Sequence, residues 1–367
     1  MTAKRRSAGF FFLVIPSLCL FIAPTVMAVP TANNGNGHLH RNRALLAATT
    51  VNGNRHGKHH GGRNTSAVPA TAADVFSALG SAGPTHWTVL EVGAGTVSLS
   101  NPQGAVYGNV GIGQKGKLQG SGPMIHGDVY MGDSSSGALS GTSTVTGMVH
   151  LGKAAIVTPS TLTMVHDSST QATLDQARSD AIAASAKASS VASTSSLTSL
   201  NLGHTTMSLT SGVYNFSSLN LDHSTLTLSG TGYFIFNITS SFVFNSGKVL
   251  LADGATESNI LFNYTGTSQA SFTGGTGGTN PGGPDESVLH GILLALNAKV
   301  ALSPGLVVGE IISGQDISIV SGGIVQQPPA TVPDLASTFD LSVIALGSIA
   351  ALRALTLRKR VRRARSS

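Results

Sequence analysis

The side chains able to do covalent chemistry are few and poorly grouped. Acidic residues stand singly along the chain, apart from Asp285-Glu286. Polysaccharide cleavage needs clustered carboxylates, or a carboxylate with an Arg or Lys base. The sequence groups neither, so the chain is expected not to be an enzyme. The single cysteine, Cys19, lies in the first apolar run, which leaves the rest of the chain without a disulfide or a thiolate metal site. Five of the 12 histidines, His38, His40, His56, His59 and His60, fall in one low-complexity tract. Their spacing is irregular and Arg is interleaved, so no metal site and no cofactor are expected. His204 and His223 fall at matching positions in neighbouring copies of a repeat and are read as exposed turn residues that could stack as a pair. The groups that do recur in step are hydroxyls. Thr206 and Ser208 return as Thr225 and Thr227. Such an array can do only non-covalent work, presenting ranks of small polar groups to a surface. Thr142 and Thr144, or Thr161 and Thr163, would extend it if the geometry cooperates. Thr also suits any solvent-facing strand, which is the competing explanation.

Those hydroxyls need strands to position them, and the chain supplies strands by repetition. Gly108-Asn109-Val110-Gly111-Ile112-Gly113 returns as Gly127-Asp128-Val129-Tyr130-Met131-Gly132 and again as Gly147-Met148-Val149-His150-Leu151-Gly152. Val110 and Ile112, Val129 and Met131, and Val149 and Leu151 share one face of an alternating pattern bounded by glycine, which reads as short strands between turns. Leu200 to Leu209 matches Leu219 to Leu228 at the same offset, and Gly291 to Gly305 matches Gly309 to Gly322 at nearly the same one. A β-sandwich also spaces strands evenly, but it does not require the same residue types at the same offset. A period of about 19 residues indicates a right-handed, irregular β-solenoid, in which stacked coils bury one another's apolar faces.

The strand blocks are separated by an Ala-rich segment. Leu174, Ala177, Ala181, Ala184, Ala188 and Val191 follow at steps of three and four, one helical stripe within about 170–191, with Asp175, Arg178, Asp180 and Lys187 off it. A stripe of Ala permits close approach, so the helix is expected to lie along the solenoid over apolar surface.

Charge separates the body from the ends. The formal net charge is +6, yet 15 of the 22 basic residues lie before 64 or after 352. Residues 74–330 keep seven basic against 14 acidic side chains, a balance that repels phosphate, so no nucleic acid is expected as a partner. Residues 1–28 read as a secretory signal peptide. Lys4-Arg5-Arg6 precede an apolar run, and cleavage is expected after Ala28. The competing reading is an uncleaved anchor, against which Pro16 and Pro24 argue. Residues 29–73 are assigned to a linker, 74–330 to the solenoid domain and 331–367 to a C-terminal segment. That segment carries Val332-Pro333-Asp334, an apolar stretch from Leu341 to Leu352 too short to span a bilayer, and a basic end. It resembles the PEP-CTERM class of bacterial sorting tails in the variant that opens Val-Pro-Asp. The resemblance implies exosortase-type sorting machinery as a partner, with Val332, Pro333 and Asp334 as the recognised motif. Leu335-Ala336 depart from the Ser-Gly pair usual there, and an ordinary single-span anchor is the alternative. Both place the body at the cell surface or outside the cell, touching membrane only through the terminal segments.

The order of early coils, one Ala-rich helix and later coils resembles the microbial ice-binding-like β-solenoid family over about Thr85 to Val325. Trp87-Thr88-Val89-Leu90, Ser211-Gly212-Val213-Tyr214, Phe234-Ile235-Phe236-Asn237-Ile238, Ile260-Leu261-Phe262-Asn263 and Gly291-Ile292-Leu293-Leu294-Ala295 carry the likeness. Ser211 stands where the family usually has Pro, and Gly274 to Pro284 look like an inserted loop. The resemblance implies an all-β solenoid with one long helix alongside. Its functions would be either a structural or adhesive module that contacts cell-envelope or matrix polysaccharide, or an ice binder using Thr206, Ser208, Thr225 and Thr227. The former is the leading expectation.

Overall fold

The computed structural model describes residues 70–328, apart from 101–104, 160, 276–282 and 284. The expected signal peptide with its cleavage after Ala28, most of the linker and the Val332-Pro333-Asp334 tail lie outside these residues. The described residues are mostly β, with two α-helices among them, α1 (Ala72–Leu79) and α2 (Thr170–Ser190). α1 was not anticipated and begins inside the segment assigned to the linker. Thr71 and Asp74 close it with a reciprocal capping box.

Every described strand pairing is parallel, and alternation decides which side chains turn inward. One inward ladder runs Met164, Val149, Val129, Val110, Val89, Ile311, Leu293, Phe262, Phe236 and Tyr214, each residue in register with the next. The core therefore changes from Val in the early coils to stacked aromatic rings in the later ones. Phe236 and Phe262 lie 4.9 Å apart at 12°, an arrangement that adds about 0.5–1.5 kcal/mol beyond burial.

The coils do not stack in chain order. Strand Val89–Glu91 pairs with Val110–Ile112 on one side and with Leu306–Ser313, from the last coil, on the other. The first and last coils of the described region thus adjoin mid-stack, while the segments before and after α2 form its two ends. A helix of 21 residues spans about 31 Å, and strands stack about 4.8 Å apart. α2 accordingly carries the chain most of the way from one end to the other. The register is also less regular than the repeat suggests. Val110 pairs with Val129 one repeat on, but Phe234 pairs with Ile260 and Leu261 with Ile292, because longer loops intervene.

The Ala stripe is the buried face of α2: Leu174, Ala177, Ala181, Ala184 and Ala188 pack over Leu90, Ile312, Leu294, Leu261, Ile235 and Val213. Gly111 sits under Leu174, where a Cβ would stand 3.1 Å from a Leu174 methyl and 2.6 Å from Leu90. At a tight corner Gly309 adopts φ 142°, and a Cβ there would meet the Gly291 carbonyl oxygen at 2.0 Å.

Candidate functional site: the exposed strand faces

Three strips of strand line the stack, and they differ in what covers them. The first, containing Val89–Glu91, is covered by α2. Its polar members are used in docking that helix. Asn237 Nδ2 donates to the Ala188 carbonyl at 2.8 Å and to Asn215 Oδ1 at 2.9 Å. Asn263 Nδ2 donates to Asn237 Oδ1 at 2.8 Å, and Ser185 Oγ donates to Asn263 Oδ1 at 2.7 Å. The three Asn are in register, so one amide ladder fastens the C-terminal half of the helix.

The second strip carries the expected hydroxyl array. Thr206 lies in register with Thr225 and Ser208 with Thr227, and Thr210 with Ser229 adds a third column. Thr206 and Ser208 are exposed, Thr225 and Thr227 half-buried. The array ends after two ranks. Lys248 and Leu250 come next in register, and the Lys248 ammonium donates to the Gly283 carbonyl at 2.7 Å. Beyond them Val288, Leu306 and Ile324 form a separate buried cluster on the same strip. Thr144 pairs with Met124 at the far end of this strip, and Thr142, Thr161 and Thr163 fall outside the strands, so none of the four extends the array.

The third strip is uncovered among the described residues. Its central outward ladder runs Asn201, Asn220, Val243, Ser271, Ala301, Ser318, Ser98, Gln119, Ala138 and Thr158 in continuous register. A flanking column repeats Ser100, Ser121 and Ser140. Small side chains on strands about 4.8 Å apart make a low-relief surface. It is interrupted by two shallow depressions, one of about 340 Å³ bordered by Asn220, Asp222, Ser241, Val243 and Asn245, and one of about 390 Å³ bordered by Thr96, Gln119, Gln269, Lys299 and Asp316. Lys299 Nζ meets Asp316 Oδ2 at 2.7 Å and the Thr96 amide donates to Oδ1 at 2.9 Å. Together they hold the Asp316 carboxyl below its ordinary range, the Lys299 bond being the larger cause. A sequence reading confined to Thr missed this strip, because its ranks come from coils at both ends of the chain and are built of Ser and Ala.

Buried acids lie elsewhere. Glu91 accepts from the amides of Gly93, Gly95 and Gly113 at 2.6, 2.9 and 3.1 Å, yet burial raises its pKa overall. Glu257 and His290, 2.9 Å apart, form a half-buried pair in which the His290 bond lowers the Glu257 pKa.

Residues 92–308 match the family model described as ice-binding-like. The chain belongs to the ice-binding-like family. No curated protein matches it. Among solved structures, this ice-binding-like chain is similar to the ice-binding protein of the Antarctic ascomycete Antarctomyces psychrotrophicus. The two share 18 % identity over 69 % of this chain and 98 % of that one, with a TM-score of 0.42. The glycosylated ice-binding protein LeIBP of an Arctic yeast shares 17 % over 70 % and 96 %, with a TM-score of 0.43. The ice-binding protein of an Antarctic Flavobacteriaceae bacterium shares 21 % over 70 % of this chain and 48 % of that one, with a TM-score of 0.43.

Proposed function

We propose that this protein is an exported, non-enzymatic ice-binding β-solenoid whose working surface is the uncovered third strip. The observation that carries the reading is the ten-rank outward ladder of mostly small side chains from Asn201 to Thr158. Adhesion to a crystal plane needs flat area, and this strip supplies more of it than the two ranks of Thr206, Ser208, Thr225 and Thr227. Family membership supports ice as the ligand. The proposed export rests on the basic and apolar run at residues 1–28, and sorting on Val332-Pro333-Asp334. Among the described residues no helix is long and apolar enough to cross a membrane.

The test is inhibition of ice recrystallisation, with crystal shaping watched in parallel. Ser318→Tyr raises a ridge in the middle of the ladder and is expected to abolish both effects, whereas Thr225→Tyr on the second strip leaves them. Round crystals at high concentrations of the unaltered protein would end the ice reading. Loss in Thr225→Tyr alone would move the surface to the hydroxyl array.

A second reading, a structural or adhesive module at the cell surface, is favoured by one observation. The Lys299–Asp316 pair, with Lys117 and Gln119 nearby on the same strip, offers fixed charge and amide groups suited to polysaccharide hydroxyls. Binding to cell-envelope polysaccharide that disappears in Lys299→Ala, without ice shaping, would establish that reading instead.

A further inference from the structure

At one end of the stack, two neighbouring coils bring three ligating side chains to a single turn. His204 and His223 occupy the same place in consecutive coils, and their rings stack with centroids 5.0 Å apart and planes 15° from parallel. Asp222 lies between them. Its Oδ1 is 2.9 Å from His223 Nδ1 and its Oδ2 is 4.0 Å from His204 Nε2. One ligand atom from each of the three falls within 4.8 Å of the others. Asn245 Nδ2 donates to Asp222 Oδ1 at 2.7 Å, which fixes the carboxylate and leaves Oδ2 toward His204. Both histidines hold a left-handed backbone, φ 51° and 48°, so the turn repeats and directs the two rings alike.

We propose that His204, Asp222 and His223 form a surface site for a divalent transition-metal ion of the zinc class. Two imidazoles and a carboxylate are a zinc-type donor set, with a fourth position left to water. Bonds of about 2.0–2.2 Å in tetrahedral geometry place ligand atoms roughly 3.3–3.5 Å apart. The 2.9 and 4.0 Å separations straddle that spacing. Small side-chain rotations on exposed residues reach it, and each histidine binds as the neutral imidazole, the ring nitrogen facing the ion bare and its single proton on the other nitrogen. Asn245 acts as a positioning residue behind the carboxylate.

The location gives the ion a structural task. Among the described residues strand Leu200–Gly203 pairs on one side only, with Leu219–Asp222, so its coil ends the stack, a position from which strands fray. His204 belongs to that coil and His223 to the next. A shared ion therefore staples the last coil to its neighbour.

The test uses the full chain and Zn²⁺ alone, comparing it with His204→Asn/His223→Asn. Asn tolerates the left-handed turn, so the variant keeps the backbone, and both proteins retain the histidines of residues 38–60 as a common background. Equilibrium dialysis is expected to show one zinc equivalent fewer in the variant. Zinc should raise the melting temperature of the parent and not of the variant, since only binding to the folded state stabilises it. Asn245→Ala should weaken the site by about tenfold. Equal stoichiometry and equal thermal response in parent and double variant would overturn the proposal.

Discussion

Glu310 is a costly carboxyl to bury. It lies in strand Leu306–Ser313 opposite Ile292, is fully buried, and neither carboxylate oxygen has a hydrogen-bond partner among the described residues. Burial alone pushes its pKa well above the ordinary carboxyl value. An acid whose folded pKa is raised binds more protons in the folded state, so stability is complete below the unfolded pKa of about 4.3 and falls as pH rises above it. Glu91 shifts in the same direction, tempered by its three amide donors. Denaturant midpoints at pH 4 and pH 8 are expected to show Glu310→Gln close to the parent at the lower value and more stable at the higher one. A variant advantage that is equal at both pH values would mean that Glu310 does not titrate in this way. The Asn ladder contrasts with Glu310. Asn237 is also buried, but its amide is spent on Asn215, Asn263 and the Ala188 carbonyl.

At the scale of elements, α2 is held against the strands by the close contact of its Ala face, and the same Ala content favours the helix itself. Four of its buried positions are Ala with no exposed surface, Ala177, Ala181, Ala184 and Ala188, and they let the backbone close on a strip of Leu, Ile and Val. Asp180 adds a fastening to the turn after α1, accepting from the Ser81 amide at 2.9 Å and hydroxyl at 2.8 Å. Replacing Ala184 by Leu forces extra methylenes into a close-packed seam and is expected to cost about 1–3 kcal/mol by chemical denaturation. The conservative change at exposed Ile182→Leu should leave stability unaltered. The stripe itself was legible in the sequence because helical periodicity is a property of a few consecutive turns. α1 was not, since a helix of barely two turns with one capping box gives too short a pattern to separate from the Gly- and Ala-rich stretch before it.

For the molecule as a whole, the seam between first and last coils decides the order of everything else. Val89 pairs with Ile311, Val97 with Ile317 and Ala105 with Ile324, so the last coil is an interior layer rather than an appendage. A chain ending at Ser303 would leave Val89, Val97 and Val106 without their neighbours on one side. It is expected to lose cooperative unfolding and protease resistance altogether. A stable, cooperatively folded product would contradict the interior placement of that coil. Two further features also exist only at this scale. The open strip is assembled from ranks on both sides of the seam, and the His204, Asp222 and His223 cluster depends on two coils standing in step.

The alternation that makes strands, the recurrence of short glycine-bounded coils, the Ala stripe of α2, the register of Thr206 on Thr225 and the acidic balance of the body were all legible along the chain. All of these are set by neighbours along the chain or one coil away. Which coils touch across the seam, and where the hydroxyl array stops, at Lys248 and Leu250, came from the folded stack. So did the identity of the uncovered strip and the meeting of two turn histidines around a carboxylate. Burial and register between distant segments follow from closing the whole stack, where one strand's outer face is settled by whatever helix or loop comes to lie on it.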